Sequence, residues 1–399
     1  MEILAQQGPP PGYKTTHFPD RQWNLFLPSV IHDALATEER VRKEEERRAY
    51  REARQALENE SREDDDLVKA DDEVAEPDDP FPGHPSLQIF DPEVITCAMK
   101  RLAKEDKERA ARQMPTVEEA GNWHGRRRLL EMTIPVMSER LRALGSTMPN
   151  FQATIDLLIG ELALAMAGPA EAFRVSPIAL YGTPGIGKTR FAREVAAILQ
   201  VGFEAIALGA TGGGFEIAGV SAGFGNSRPG RITRVLAQGE MALPVVLLDE
   251  IDKMTGDDRF PVLPTLLELL EPDSARTFRD EGLEIRFDAS RILFLATANE
   301  AERIPAPLQS RLRMVEVSAP TPEQRRQIVE RLASEFQGIG IGFPVPVLDR
   351  LATAELDLRA LQRVIRETAG RTLAAGRQAV AETDLVMPAQ ATRKEMGFL

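Results

Sequence analysis

Residues 182–189 read Gly-Thr-Pro-Gly-Ile-Gly-Lys-Thr, a glycine-rich turn closed by a lysine and a hydroxyl residue. This is the G-x-x-x-x-G-K-[ST] spacing of a phosphate-binding loop. Glycines let a backbone curl until its N–H groups face an anion, and the positive end of a following helix adds to the attraction. The apolar run ending in Tyr181 and the helical pattern from Thr189 to Gln200 supply the strand and helix that a chance match would lack. Gly182, Thr183, Pro184, Gly185, Ile186, Gly187, Lys188, Thr189 and Arg190 are therefore candidate contacts to a nucleotide's phosphates. In such loops the lysine reaches the β- and γ-phosphates and the hydroxyl ligates Mg²⁺, so ATP and Mg²⁺ are the expected substrate and metal.

Two carboxylates follow about sixty residues later, where Val-Val-Leu-Leu-Asp-Glu spans 245–250. An apolar run ending in acids suits the C-terminal edge of a buried strand, where ligands of open α/β sheets gather. Asp249 would hold Mg²⁺ together with Thr189, and Glu250 would polarise the attacking water. Taken alone, the same run could be a strand that happens to end in acids. A third run, Ile-Leu-Phe-Leu-Ala-Thr-Ala-Asn-Glu, brings Asn299 to a strand tip, where its amide could bond the γ-phosphate or the water.

The elements that must hold these groups show in the pattern of the chain. Apolar runs at 177–181, 203–208, 244–248, 291–296 and 313–317 alternate with amphipathic stretches. That alternation predicts an α/β domain with a parallel sheet flanked by helices. After Pro320 the strands stop, and helical patterns at 321–337, 345–354 and 357–380 predict a small all-helical domain.

The first 147 residues read differently. Residues 1–30 show no clear period, and 34–60 are helix formers laced with opposite charges, a wet helix or a partner-binding one. Residues 62–80 carry ten acidic side chains against two basic ones and predict a flexible linker. Arg126, Arg127 and Arg128 beside Trp123 could touch nucleic acid, or could line the polar side of a helix whose apolar side holds Leu129, Leu130, Ile134 and Met137. The expected division is 1–61, an N-terminal region with a charged helix; 62–85, the acidic linker; 86–147, a helical segment; 148–319, the α/β domain; and 320–399, the helical domain.

Bulk composition narrows the rest. A net charge of −13 disfavours a phosphate backbone as the main partner. No apolar run approaches the roughly 20 residues of a membrane-spanning helix. The opening residues lack a basic leader and an apolar signal core, so the cytoplasm is expected. One cysteine, Cys97, excludes an internal disulfide framework.

Together, Gly-Thr-Pro-Gly-Ile-Gly-Lys-Thr, Leu-Leu-Asp-Glu-Ile-Asp-Lys-Met (247–254), the stretch from Pro264 through Phe278 to Asn299, and residues 304–317 resemble the AAA+ superfamily, and within it the ATPase module of the Lon protease family. The likeness covers roughly residues 148–375. It implies that Arg311, with Arg313 the alternative, is an arginine finger reaching nucleotide held by a neighbouring subunit, worth ~10³–10⁵ in rate where fingers have been measured. It implies that Arg359 contacts nucleotide from the helical lid. It aligns Phe224 with an aromatic that grips polypeptide in a ring's axial channel, although the glycine-rich flanks, Gly212 to Gly214 and Gly225, depart from the family and leave a plainly packed phenylalanine open. Only 40 residues follow Arg359, too few for a protease domain with a Ser–Lys pair. The expectation is an ATP-hydrolysing ring, most simply a homo-hexamer, that remodels or unfolds protein without cleaving it. The alternative is a nucleotide-dependent switch or scaffold controlling a partner protein.

Overall fold

The structure, a computed structural model, describes residues 13–18, 23–28, 79–105, 107–210, 213–221, 226–254 and 261–387. The chain divides into two compact units, Met1–Glu76 and Pro77–Leu399. In the first, β1 (Tyr13–Phe18) and β2 (Trp23–Pro28) form an antiparallel hairpin in which Phe18 pairs with Trp23. No period in residues 1–30 announced this hairpin. The charged run 34–60 lies outside the described residues, as does the acidic stretch up to residue 78.

The second unit is built on a parallel sheet of five strands. These are β5 (Ile178–Tyr181), β6 (Phe203–Ala207), β7 (Val245–Asp249), β10 (Leu293–Ala298) and β11 (Arg313–Glu316), in the spatial order β11-β5-β10-β7-β6. They are the five apolar runs read from the sequence. The central strands are near-continuously apolar because both faces are covered: every residue of β10 is buried, as are four of the five in β7. Helix α5 (Lys188–Leu199) lays Phe191, Ala192, Val195, Ala196 and Leu199 on the sheet at helical spacing. A small antiparallel hairpin, β8 (Phe278–Asp280) with β9 (Ile285–Phe287), stands before β10.

Residues 86–147 hold three helices, α1 (Pro92–Leu102), α2 (Lys107–Gly121) and α3 (Ile134–Thr147), and also a ribbon of β3 (Ser86–Gln88) with β4 (Arg126–Arg128). Their buried side chains, Phe90, Leu102, Val117 and Met137 among them, run without a break into the core under the sheet. Helix α4 (Gln152–Ala167) continues that layer.

The arginine triplet corrects its sequence reading. It is a strand, not one side of a helix, because Trp123, His124 and Gly125 all take left-handed backbone angles and turn the chain sharply before it. Nor does Arg127 face solvent or nucleic acid: its residue is fully buried. Its guanidinium donates to the carbonyls of Glu119, Asn122, Arg126, Leu236 and Ala237 and lies 5.0 Å from the Trp123 ring centroid and 5.4 Å from that of Phe90. Burial brings its pKa down to about 10. Arg126 is tied to Ser86, and Arg128 pairs with Glu131 and Glu240.

The helical domain has its own core, centred on Val329, Leu332, Leu351, Leu361 and Ile365. It comprises α8 (Pro322–Ser334), α9 (Val345–Thr353) and α10 (Leu358–Ala374), while α6 (Arg231–Gln238) and α7 (Val262–Leu270) belong to the sheet domain. Thr321 and Gln324 form a reciprocal capping box that starts α8. The expected third helix stops at Ala374 rather than 380, since Arg377 turns to bind Asp384.

Candidate active site

Parallel β5, β7 and β10 deliver their C-terminal ends to one edge, and there the sequence-marked residues meet. The turn after β5 needs its glycines: a Cβ on Gly182 would fall 2.2 Å from the Val317 carbonyl oxygen, and one on Gly185 (φ +80°) 2.7 Å from Asp357 Cβ. Lys188 opens α5 and folds its ammonium back over the turn. It donates to the carbonyls of Gly182 at 2.6 Å and Thr183 at 3.0 Å and to Asn299 Oδ1 at 3.2 Å. Burial pulls this amine below its ordinary range, and the Arg359 charge adds to that, while Asp252 and Asp249 pull it back.

Thr189 donates to both oxygens of Asp249 at 3.3 Å each. This is an all-oxygen pair of the kind Mg²⁺ takes, so the donor set fits that metal. Thr297, buried on β10, donates its hydroxyl to Asp249 and accepts the Glu250 amide at 3.1 Å. Glu250 sits in the left-handed region (φ 60°, ψ 49°), a turn that ends the strand and throws its side chain out of the sheet. Lys253 donates to Glu250 Oε1 at 2.6 Å. Asp252 accepts the amides of Asn299 at 2.9 Å and Glu300 at 3.2 Å, tying the two strand tips together.

A cavity of about 240 Å³ is lined by Lys188, Thr189, Asp249, Glu250, Asn299 and Arg359 among others. Arg359 reaches it from the helical domain. Beside it a second cavity of about 310 Å³ is lined by Met148, Ile328, Leu332 and Leu358 together with Asn150, Arg190, Arg193, Arg331 and Gln362. A partly apolar cavity adjoining a phosphate loop is of a kind that could take a nucleotide's base.

The remaining expectations are not gathered here. Arg311 lines neither cavity; its Nε lies 3.3 Å from Glu271 Oε2 and its Nη1 donates to the Pro307 carbonyl at 3.1 Å. Arg313 pairs in register with Ile178 at the far end of β5 from the phosphate loop, 3.8 Å from Glu161. Phe224 lies outside the described residues. Sequence reasoning passed over Thr297, Asp252 and Lys253, although two of them stand in the Asp-Glu-Ile-Asp-Lys run itself.

A glycine-turned phosphate loop, a Thr–Asp pair and a lid arginine at the edge of a sheet in this strand order define a P-loop ATPase module with a helical lid. Residues 178–319 match the family described as ATPase family associated with various cellular activities (AAA). The module is Lon-like. Over 183 residues, 46% of this chain, it is 38% identical to the Lon protease of Desulforamulus reducens, and over 234 residues, 55% of this chain, 34% identical to that of Chloroflexus aurantiacus. The matched parts are 22% and 28% of those relatives' length, so the likeness spans a quarter of them or so. Among solved structures, a closed-state reconstruction of Hsp104 with ATPγS and FITC-casein shares the fold at 18% identity, with a TM-score of 0.50 over 60% of this chain and 48% of that one. Among the described residues no helix is long and apolar enough to cross a membrane.

Proposed function

We propose that this chain hydrolyses ATP in a ring, most simply of six copies, and spends the energy on remodelling or unfolding protein. The observation that carries the reading is the separation of Arg311 from the cavity that Lys188, Thr189, Asp249, Glu250, Asn299 and Arg359 line. A guanidinium with the finger's place in the Lon-like pattern, and no place in its own site, serves the site of a neighbour.

In this reading Lys188 and the loop amides neutralise the β- and γ-phosphates, and Arg359 closes the lid over them. Thr189 and Asp249 hold Mg²⁺, which when bound supplies positive charge against the phosphate oxygens. Glu250, swung free of Lys253, takes the proton of the attacking water, with Asn299 orienting it. Arg311 of the next copy offsets the charge that develops on the transferred phosphoryl group.

The test is complementation. Arg311→Ala and Lys188→Ala proteins should each be inactive, and a mixture should regain a fraction of the wild-type turnover, because one intact composite site forms between unlike neighbours. No recovery at any mixing ratio removes the shared site. For the remodelling step, Phe224→Ala should keep ATP turnover and lose unfolding of a fluorescent protein substrate. Unimpaired unfolding by that variant overturns this part of the reading.

A further inference from the structure

Arg311 and Arg313 are the two arginines that the Lon-like pattern offers as the finger, and their surroundings differ. Arg313 is 58% exposed, with one carboxylate, that of Glu161, at 3.8 Å. Arg311 is 31% exposed and meets acceptors from two different elements. Its Nη1 donates to the Pro307 carbonyl at 3.1 Å. Its Nε, buried, stands 3.3 Å from Glu271 Oε2 in an ion pair whose geometry falls short of a hydrogen bond. Nη2 has no partner among the described residues.

Both backbones are fixed before these side chains meet. Glu271 ends α7, where its N–H donates to the Leu267 carbonyl at 3.2 Å. Its own carbonyl accepts the Ala275 amide at 2.9 Å and so starts the turn Pro272–Ala275. The proline that follows it favours extended backbone, and Glu271 lies there, at φ −90° and ψ 118°. Arg311 in turn donates its N–H to the carbonyl of buried Leu308 at 3.0 Å.

Glu271 lines neither cavity of the nucleotide site. Within its own copy it therefore acts on the reaction only through another residue, and the residue it touches is Arg311. Ordering an arginine removes more rotamer freedom than ordering most side chains does. A guanidinium already set against a carbonyl and a carboxylate has lost part of that freedom on folding, ahead of the transition state it serves.

We infer that Glu271 is a positioning residue for the arginine finger: its carboxylate holds the Arg311 guanidinium of one copy ready for the phosphates bound by the next. The inference deepens the proposed function and rests on it for the action of Arg311 on a neighbour's site.

The experiment sorts variants of the full-length chain by which half of the shared site they damage. Glu271→Lys sets a like charge beside Arg311 and should cut ATP turnover by roughly tenfold or more, while Glu271→Gln, which removes one half-exposed ion pair, should cut it roughly twofold to fivefold. Mixed with Lys188→Ala, Glu271→Lys should regain turnover, because an intact lysine in one copy then meets an intact finger and its support in the other. Mixed with Arg311→Ala it should gain nothing, since both proteins are damaged on the finger side. Glu271→Gln added to Arg311→Ala should slow that protein no further. Glu161→Gln, beside the alternative arginine, should stay within about twofold of wild type.

Where Arg311→Ala and Lys188→Ala complement each other, a folded Glu271→Lys that gains with Arg311→Ala, or fails to gain with Lys188→Ala, overturns the positioning role and leaves the proposed function standing. Undiminished turnover in Glu271→Lys overturns it too, as does a defect that sorts with the finger in Glu161→Gln instead. If Glu271→Lys fails to fold, the double variant decides: further slowing by Glu271→Gln on the Arg311→Ala background overturns the inference, and none upholds it. Failure of Arg311→Ala and Lys188→Ala to complement strikes the shared site itself, and the role of Glu271 with it.

Discussion

Thr297 bonds the two acids at the tip of β7 at once: its hydroxyl accepts the Glu250 amide and donates to the Asp249 carboxylate. One small side chain on the neighbouring strand thus sets the direction of the carboxylate fitted for metal and the backbone turn that launches the carboxylate fitted for the water.

Thr297→Val keeps the shape and removes both bonds. With a net worth of about 1–2 kcal/mol for hydrogen bonds of this kind, ATP turnover should fall roughly tenfold and the Mg²⁺ concentration for half-activity should rise. Circular dichroism should stay the same. Full activity in the valine variant would show that Asp249 and Glu250 need no help from β10.

Glu250→Gln preserves the size of the side chain and abolishes its basicity. Proton transfer by a positioned group contributes about 10²–10⁴-fold, so turnover should drop into that range while a fluorescent ATP analogue binds with nearly unchanged affinity. Brisk hydrolysis would take the base role away from Glu250.

Arg127→Lys tests the buried anchor. An ammonium cannot serve five carbonyls in the directions a guanidinium covers, and buried acceptors left bare cost about 1–3 kcal/mol each. The variant should lose at least ~3 kcal/mol in denaturant unfolding, and Arg127→Ala more. A loss under ~1 kcal/mol would contradict the bonding seen at this residue.

Asp384 gives a pH prediction. Arg377 grips its carboxylate from both nitrogens, with the Ala381 amide and Thr372 hydroxyl adding to the hold, so its pKa lies well below the ordinary carboxylate range. A carboxyl depressed in the folded state contributes stability that is complete above its unfolded value, about 4, and drains away as pH falls below that toward the folded value. The melting temperature of the helical domain should therefore drop on acidification below about pH 4, and Asp384→Asn should flatten that limb. Parallel acid limbs in the two proteins would refute the assignment.

What the sequence disclosed and what it hid divide along physical lines. The phosphate loop, the five strands and the strand-tip positions of Asp249 and Asn299 were legible because each is local: a glycine spacing, an apolar run, a polar residue where that run ends. Arg359, on a lid helix, was singled out only by the family resemblance. Thr297 sits inside an apolar run and looks like strand filler until the neighbouring strand is set beside it. Arg127 was misread for the same reason. Three residues of strand carry no measurable period, and the carbonyls of Leu236 and Ala237 that hold it come from a helix end more than a hundred residues away.

Asp357 caps the start of α10 through the Ala360 amide, its Cβ stands where Gly185 has none, and Leu358 N donates to the Gly185 carbonyl at 3.3 Å. The last long helix of the lid therefore hangs by its first residue from the turn that cradles phosphate. The turn and the helix start are thus bonded and packed against each other at one point. A substitution that recurves the turn, such as Gly185→Ala, should therefore disturb the start of α10 as well as the phosphate site.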